Sequence, residues 1–182
     1  MTLLALSITI LLLALLAYRA FQRALRVDRF KSRFQSLYPP SETVTWLARP
    51  GQRPLLAHLY KPSGWHHTDQ RPCIVLFFGG AWRVGSAWQF APFAQRLCAL
   101  GAVVVLPEYR IKSRDRSTVD EAVADGFAVM NTVRESADCL GIDLARISVG
   151  GGSAGGHLAA WIATARHPNA SQATDGFKPA AL

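Results

Sequence analysis

The chain has 182 residues, enough for one domain with a substantial core. Half of them are hydrophobic and only 18% are charged, which excludes wholesale disorder. The formal net charge is +8, but Arg19, Arg23, Arg26, Arg29, Lys31 and Arg33 supply most of it against the single acid Asp28. The remainder is close to neutral and carries no nucleic-acid motif, so binding to nucleic acid is not expected.

Residues Thr2 to Ala17 carry no charge and are mostly Leu, Ile and Ala. With Tyr18 at the interface, the run is just long enough to span a bilayer. A basic flank on its C-terminal side alone predicts a signal anchor with the folded domain on the cytoplasmic side. The alternatives are a cleaved secretory signal, giving a secreted or periplasmic protein, and a buried helix. The first lacks basic residues before the apolar run, and Ala17-Tyr18-Arg19-Ala20 is a poor cleavage site. From Phe21 to Leu37, the residues Phe21, Leu25, Phe30, Phe34 and Leu37 recur at near-helical spacing among the arginines, predicting a basic amphipathic helix. Pro39-Pro40 ends it. The expected organisation is therefore an anchor or signal at 1–18, a linker helix at 19–40 and a folded domain at 41–182.

Within that domain, Thr43–Leu47 and Leu55–Tyr60 read as two strands joined by a Pro50-Gly51 turn. Gly64–Arg71 is a polar loop. Cys73–Phe78 is a continuous apolar run of strand length, as in a strand covered on both faces. A glycine-rich turn follows, then a helix from about Ala91 to Leu100 that Gly101 stops. Ala102–Leu106 is a second buried strand. Thr118 and Asp120 open a long helix to about Ala137. Ile147–Gly150 is a third strand, and Ala154–Arg166 a helix. A hairpin followed by three β-turn-α steps predicts an α/β fold with a mostly parallel sheet. Function in such sheets sits at the carboxyl ends of the strands. Cys73, Cys98 and Cys139 show no C-x-x-C spacing, so neither a zinc site nor a disulfide framework is indicated, and Cys73 and Cys98 read as small core residues.

Two glycine-rich turns lie at strand ends. Gly151-Gly152-Ser153-Ala154-Gly155 fits G-x-S-x-G between a strand and a helix. A nucleophilic serine needs such a sharp turn, with small neighbours that tolerate a strained backbone. The helix dipole behind it favours developing negative charge. Phe78-Gly79-Gly80-Ala81-Trp82 ends the first buried strand, where residues with little side chain expose backbone N–H donors to an oxyanion. The same elbow also fits G-x-G-x-x-G (Gly150, Gly152, Gly155), with Asp175 twenty residues on. No second apolar strand precedes that acid, so a dinucleotide site is disfavoured. No G-K-[ST] follows a glycine run.

From Val44 to Leu182 the chain resembles the α/β-hydrolase esterase and lipase group, which includes hormone-sensitive-lipase-like, acetyl-esterase and feruloyl-esterase-like proteins. Phe78–Trp82 resembles that family's H-G-G-G-[WF] oxyanion motif, Glu108-Tyr109-Arg110 its [DE]-Y-R, and Gly151–His157 its nucleophile elbow. The resemblance implies Ser153 as nucleophile. It implies an oxyanion hole from the N–H groups of Gly80, Ala81 and Ala154, with Gly79 shaping the loop and Trp82 lining the acyl pocket. It implies hydrolysis of carboxylic esters through an acyl-serine, with a small-molecule or acylated-carbohydrate substrate and no metal or organic cofactor. The aromatic Trp82 points to a short acyl group such as acetyl, and Ala154 after the serine favours an esterase over a peptidase.

Two motif positions depart from the family. Phe78 stands where it usually has a bracing His, and Ala81 where it has Gly. The triad acid and base follow the serine in this family, and the sequence ends at Leu182, so the chain is expected to be the N-terminal part of a longer hydrolase. His157 reads as a packed helix residue, His66, His67 and His167 as solvated, Asp125 as a helix-surface charge and Asp143 as a turn residue. Without that acid and base this stretch alone is expected to be inactive, and the competing reading is a non-catalytic, membrane-tethered pseudo-hydrolase or an inactive fragment lacking the triad Asp and His.

Overall fold

The computed structural model describes Leu15 and residues 32–164. The chain divides between Leu37 and Tyr38 into two compact units, and everything below concerns the second except where stated. In the first unit residues 32–37 are helical. Apart from Leu15, the apolar run at 1–18 lies outside the described residues, as do positions 19–31 of the amphipathic segment. No helix among the described residues is long and apolar enough to cross a membrane.

Five strands form one sheet in the order β1-β2-β4-β3-β5. They are β1 (Glu42–Leu47), β2 (Leu55–Tyr60), β3 (Arg71–Phe77), β4 (Val103–Pro107) and β5 (Ile142–Gly151). The hairpin β1–β2 is antiparallel, β2 joins β4 antiparallel, and β3 runs parallel to both β4 and β5. The parallel trio β4-β3-β5 is the part that the alternating β-turn-α sequence demands. All five residues of β4 are buried, so both faces of the sheet are covered there. β3 differs from expectation: Cys73, Val75 and Phe77 are buried, but Ile74 and Leu76 are half-buried. The described elements cover that second face only in part.

A 3-10 turn (Ala87–Phe90) leads into helix α1 (Ala91–Ala99), which lies against β4 and β2. A short helix α2 (Lys112–Asp115) precedes α3 (Val119–Glu135) and α4 (Ala137–Leu140). Thr118 caps α3 with a reciprocal capping box: its side chain accepts from the Glu121 N–H, and Glu121 accepts from the Thr118 N–H. That second bond is the main reason the Glu121 carboxyl lies below the usual range. Helix α5 (Ala154–Thr164) packs on β5, β3 and α3.

Strand β5 begins five residues before the apolar run that announces it. Arg71 pairs with Ile142, yet Cys73 pairs with Ile147, so residues 143–146 arch out of the ladder. Asp143 closes the arch as a turn residue, accepting from the Ala145 N–H at 2.9 Å and pairing with Arg146 at 2.8 Å. The three cysteines are free. Cys73 is a core residue whose burial pushes its thiol up to about 12. Cys98 is only half-buried, against expectation, because α1 buries only Ala91 and Ala94 fully.

Candidate active site

The serine turn is built by the meeting of β5, β3 and α5. The Gly152 N–H donates to the Phe77 carbonyl at 3.2 Å, which ties the turn to the end of β3. The Gly155 N–H then bonds Gly152 O, and the His157 N–H bonds Ser153 O, both at 2.9 Å, and α5 is under way. Ser153 is left at φ 52, exposed at the carboxyl edge of the sheet. A left-handed conformation costs a non-glycine residue about 1–2 kcal/mol. Here it is held by the packing around it. A Cβ on Gly155 would strike the Phe77 and Phe78 carbonyls, and one on Gly151 would lie 2.5 Å from Phe77 O. The first turn of α5 is pressed onto the end of β3, which only glycine at 151 and 155 allows.

The second turn starts where β3 ends. Phe78 is buried and stacks on Tyr109, centroids 4.2 Å apart. The Tyr109 hydroxyl donates to Phe78 O at 2.7 Å. Burial pushes the Tyr109 phenol well above its ordinary range, so it stays protonated as a donor. Gly79 is clasped by Gln89: its N–H donates to Gln89 Oε1 and its carbonyl accepts from Gln89 Nε2, both at 3.1 Å. Gly80 (φ 140) begins a tight turn in which its carbonyl accepts from Arg83 N and Val84 N. Lys112 N then donates to Trp82 O at 2.9 Å and Ser113 N to Arg83 O at 3.0 Å, docking the turn on the start of α2.

The two turns touch. A Cβ on Gly79 would lie 2.6 Å from Gly152 O and 3.3 Å from the Ser153 Cβ. Among the described residues the N–H groups of Gly80 and Ala81 have no acceptor, whereas that of Gly79 is taken by Gln89. Ala154 opens α5, so its N–H has no partner in the helix ladder. Donors without partners, beside an exposed serine at a helix N-terminus, form an environment suited to developing negative charge.

Trp82 is half-buried. Its ring meets His157 edge-on at 5.4 Å, and His157 in turn meets Trp161 at 5.7 Å. His157 is therefore flanked by indoles but exposed, not packed. His66 and His67 are exposed in their loop. His58 is buried on β2, 2.9 Å from Thr43 Oγ1 and with its ring tilted against Trp88 at 4.2 Å. His167 lies outside the described residues. No described imidazole or carboxylate is hydrogen-bonded to the Ser153 hydroxyl.

Asp125 overturns its reading as a surface charge. It is fully buried and accepts from Arg110 three times, through the backbone N–H (3.0 Å), Nε (2.9 Å) and Nη2 (3.0 Å), and from Arg49 Nη2 at 2.7 Å. These hydrogen bonds are the main reason the Arg110 guanidinium sits above its ordinary value. Arg110 also reaches Glu121 at 2.7 Å. Glu108 accepts from Arg53 at 2.6 Å, and Asp115 takes the other side of the same guanidinium at 3.1 Å. Burial works against the Arg53 charge, but these two carboxylates more than offset it. In Glu108-Tyr109-Arg110 the two charged residues thus anchor the chain behind the site while the tyrosine between them braces Phe78.

Ala81 and Trp82 both adopt left-handed backbones, at φ 53 and 55. Ala81→Gly removes left-handed strain of about 1 kcal/mol, part of which returns as greater freedom in the unfolded chain. The expected result is a Tm raised by up to about 3 °C, read by thermal denaturation. A lowered Tm would show that the strain is absent.

A family model described as BD-FAE matches residues 58–179, two-thirds of the chain and both turns. The chain belongs to the BD-FAE family. It is similar to an AB hydrolase superfamily protein of Schizosaccharomyces pombe, 34% identical over 57% of this chain and 30% of that one. Carboxylesterase NlhH of Mycobacterium tuberculosis is 36% identical over 52% of this chain and 30% of its own length. Among solved structures, Thermogutta terrifontis esterase 2 with butyrate bound superposes with a TM-score of 0.71 at 35% identity, covering 78% of this chain and 50% of that one. The same esterase phosphorylated by paraoxon gives 0.73 at 34%, over 79% and 56%. These likenesses make this BD-FAE chain an α/β-hydrolase of the esterase group. It spans 30% of the length of those two curated relatives and about half that of the solved esterase.

Proposed function

We propose that the protein hydrolyses carboxylic esters of small acyl groups through an acyl-Ser153 intermediate. The observation that carries this reading is the contact between an exposed, left-handed Ser153 and a glycine turn whose Gly80 and Ala81 N–H groups have no acceptor among the described residues. Ser153 Oγ attacks the ester carbonyl carbon. The resulting oxyanion takes hydrogen bonds from Gly80, Ala81 and Ala154. Its collapse expels the alcohol, and water then releases the acid from the acyl-serine. The serine proton must pass to a base. In this fold class the acid and base follow the nucleophile in chain order. Trp82 walls the acyl side and favours acetyl over long chains. Membership of an esterase family and likeness to a butyrate-bound esterase support the reading.

The test is labelling by a fluorophosphonate, with p-nitrophenyl acetate turnover beside it. Ser153→Ala is expected to abolish both, and acetate to be turned over faster than octanoate. Both are read on the full-length enzyme, which includes the acid and base that follow the nucleophile; an unlabelled but folded full-length enzyme would favour the non-catalytic reading instead.

We further propose that residues 1–18 anchor the protein in a membrane, on the strength of an uncharged run flanked from Arg19 to Arg33 by six basic residues against one acid. Deleting 1–18 is expected to move the protein from the membrane fraction to the supernatant. Unchanged fractionation would remove the anchor from the proposal.

A further inference from the structure

We infer that Gln89 is a positioning residue for the oxyanion turn, doing through its carboxamide what a histidine at position 78 cannot do here. The inference rests on the esterase reading of Ser153. Phe78 offers no side-chain hydrogen bond, and its ring is committed to the stack on Tyr109. The peptide groups on either side of Gly79 must still be fixed, because they aim the following N–H groups of Gly80 and Ala81.

Gln89 fixes both. Its planar carboxamide accepts from Gly79 N–H and donates to Gly79 O, each at 3.1 Å, closing a two-bond ring like a rung of a β-ladder. The side chain reaches this place from a prepared base. The Gln89 N–H bonds Ser86 O at 3.1 Å, and Ser86 caps the 3-10 turn through the Trp88 N–H. Trp88, next in the chain, is buried against His58 and pins the turn to the sheet. On its other flank Gly79 faces Gly152 and Ser153 so closely that a methyl would not fit. Gln89 thus lies one residue from both halves of the site while touching no reacting atom. A small displacement of preorganised donors is enough to lose rate.

The experiment compares the full-length enzyme, acid and base included, with its Gln89→Met variant, which keeps length and loses both bonds, and its Gln89→Glu variant, which keeps only the acceptor. Fluorophosphonate labelling of Ser153, kcat and KM for p-nitrophenyl acetate, and amide exchange by mass spectrometry are read on each. Gln89→Met is expected to lower kcat and the labelling rate roughly ten- to a hundredfold with KM unchanged. Exchange should rise across residues 79–84 and stay constant in β4. Gln89→Glu should fall between Met and wild type in exchange. Wild-type labelling and exchange in Gln89→Met would overturn the inference. A loss of kcat accompanied by faster exchange throughout the sheet would also overturn it, since Gln89 would then be merely structural. If Gln89→Met does not fold, wild-type exchange at 79–84 in Gln89→Glu overturns it. A folded full-length wild-type enzyme that never labels would sink the esterase reading, and this inference with it, an outcome distinct from the others.

Discussion

Asp125→Ala is expected to cost about 3–5 kcal/mol of folding stability, the range for removing one partner of a buried ion pair. The site is severe because the carboxylate is fully buried and serves four donors, three from Arg110 and one from Arg49. Deleting it leaves the largely buried Arg110 guanidinium facing a hole where its counter-charge was. The damage also spreads. Arg49 lies in the turn between β1 and β2, Arg110 follows β4, and Asp125 sits in α3, so one carboxylate ties three separate stretches of chain. Asp125→Asn retains the shape and an acceptor and should lose less. Urea denaturation checks both, and a loss below about 1 kcal/mol for the alanine variant would place Asp125 with ordinary surface charges.

Gly155→Ala should be nearly as damaging and more local in its cause. The new methyl would meet the carbonyls of Phe77 and Phe78, which are backbone and cannot rotate away. A loss of about 3 kcal/mol, the upper end for overpacking, is expected, together with loss of fluorophosphonate labelling as the serine turn is pushed off β3. Gly156→Ala supplies the internal comparison. Its methyl would lie 3.1 Å from Gly151 O, tight but open to a shift of a few tenths of an ångström, so its cost should be clearly smaller. Equal costs at 155 and 156 would mean that the contact with β3 does not decide the result, since helix propensity favours alanine at both positions.

Much of this arrangement is legible in the sequence, and the parts that are not have physical reasons. β2 has the bounds its apolar run announces, and Thr118 with Asp120 marks the start of α3. Both signals are local: a pattern of burial and a cap made within one helical turn. The start of β5 is hidden because Asp143 and Arg146 interrupt the apolar pattern while the chain arches out of the ladder. Asp125 is hidden because an acid on a helix is ordinarily solvated. Its burial depends on Arg49 and Arg110, which lie 76 and 15 residues away in sequence. In the candidate site, Ser153 and the glycine turn are visible as motifs, since close backbone approach restricts residue type to glycine. Gln89 is invisible for the opposite reason. It holds Gly79 through a generic side-chain amide from a 3-10 turn ten residues on, and no local pattern announces that contact.

The arch at 143–146 gives the two ends of β5 different evolutionary freedom. At the Gly151 end a single added carbon collides with the neighbouring strand. At the Ile142 end four residues already stand clear of the ladder, with Leu144 52% exposed. Chain length there can drift without altering the register of Ile147 to Gly151 against β3. The strand is therefore crowded by backbone where it holds the serine, while at its other end an outward arch lies between two paired positions, Ile142 with Arg71 and Ile147 with Cys73.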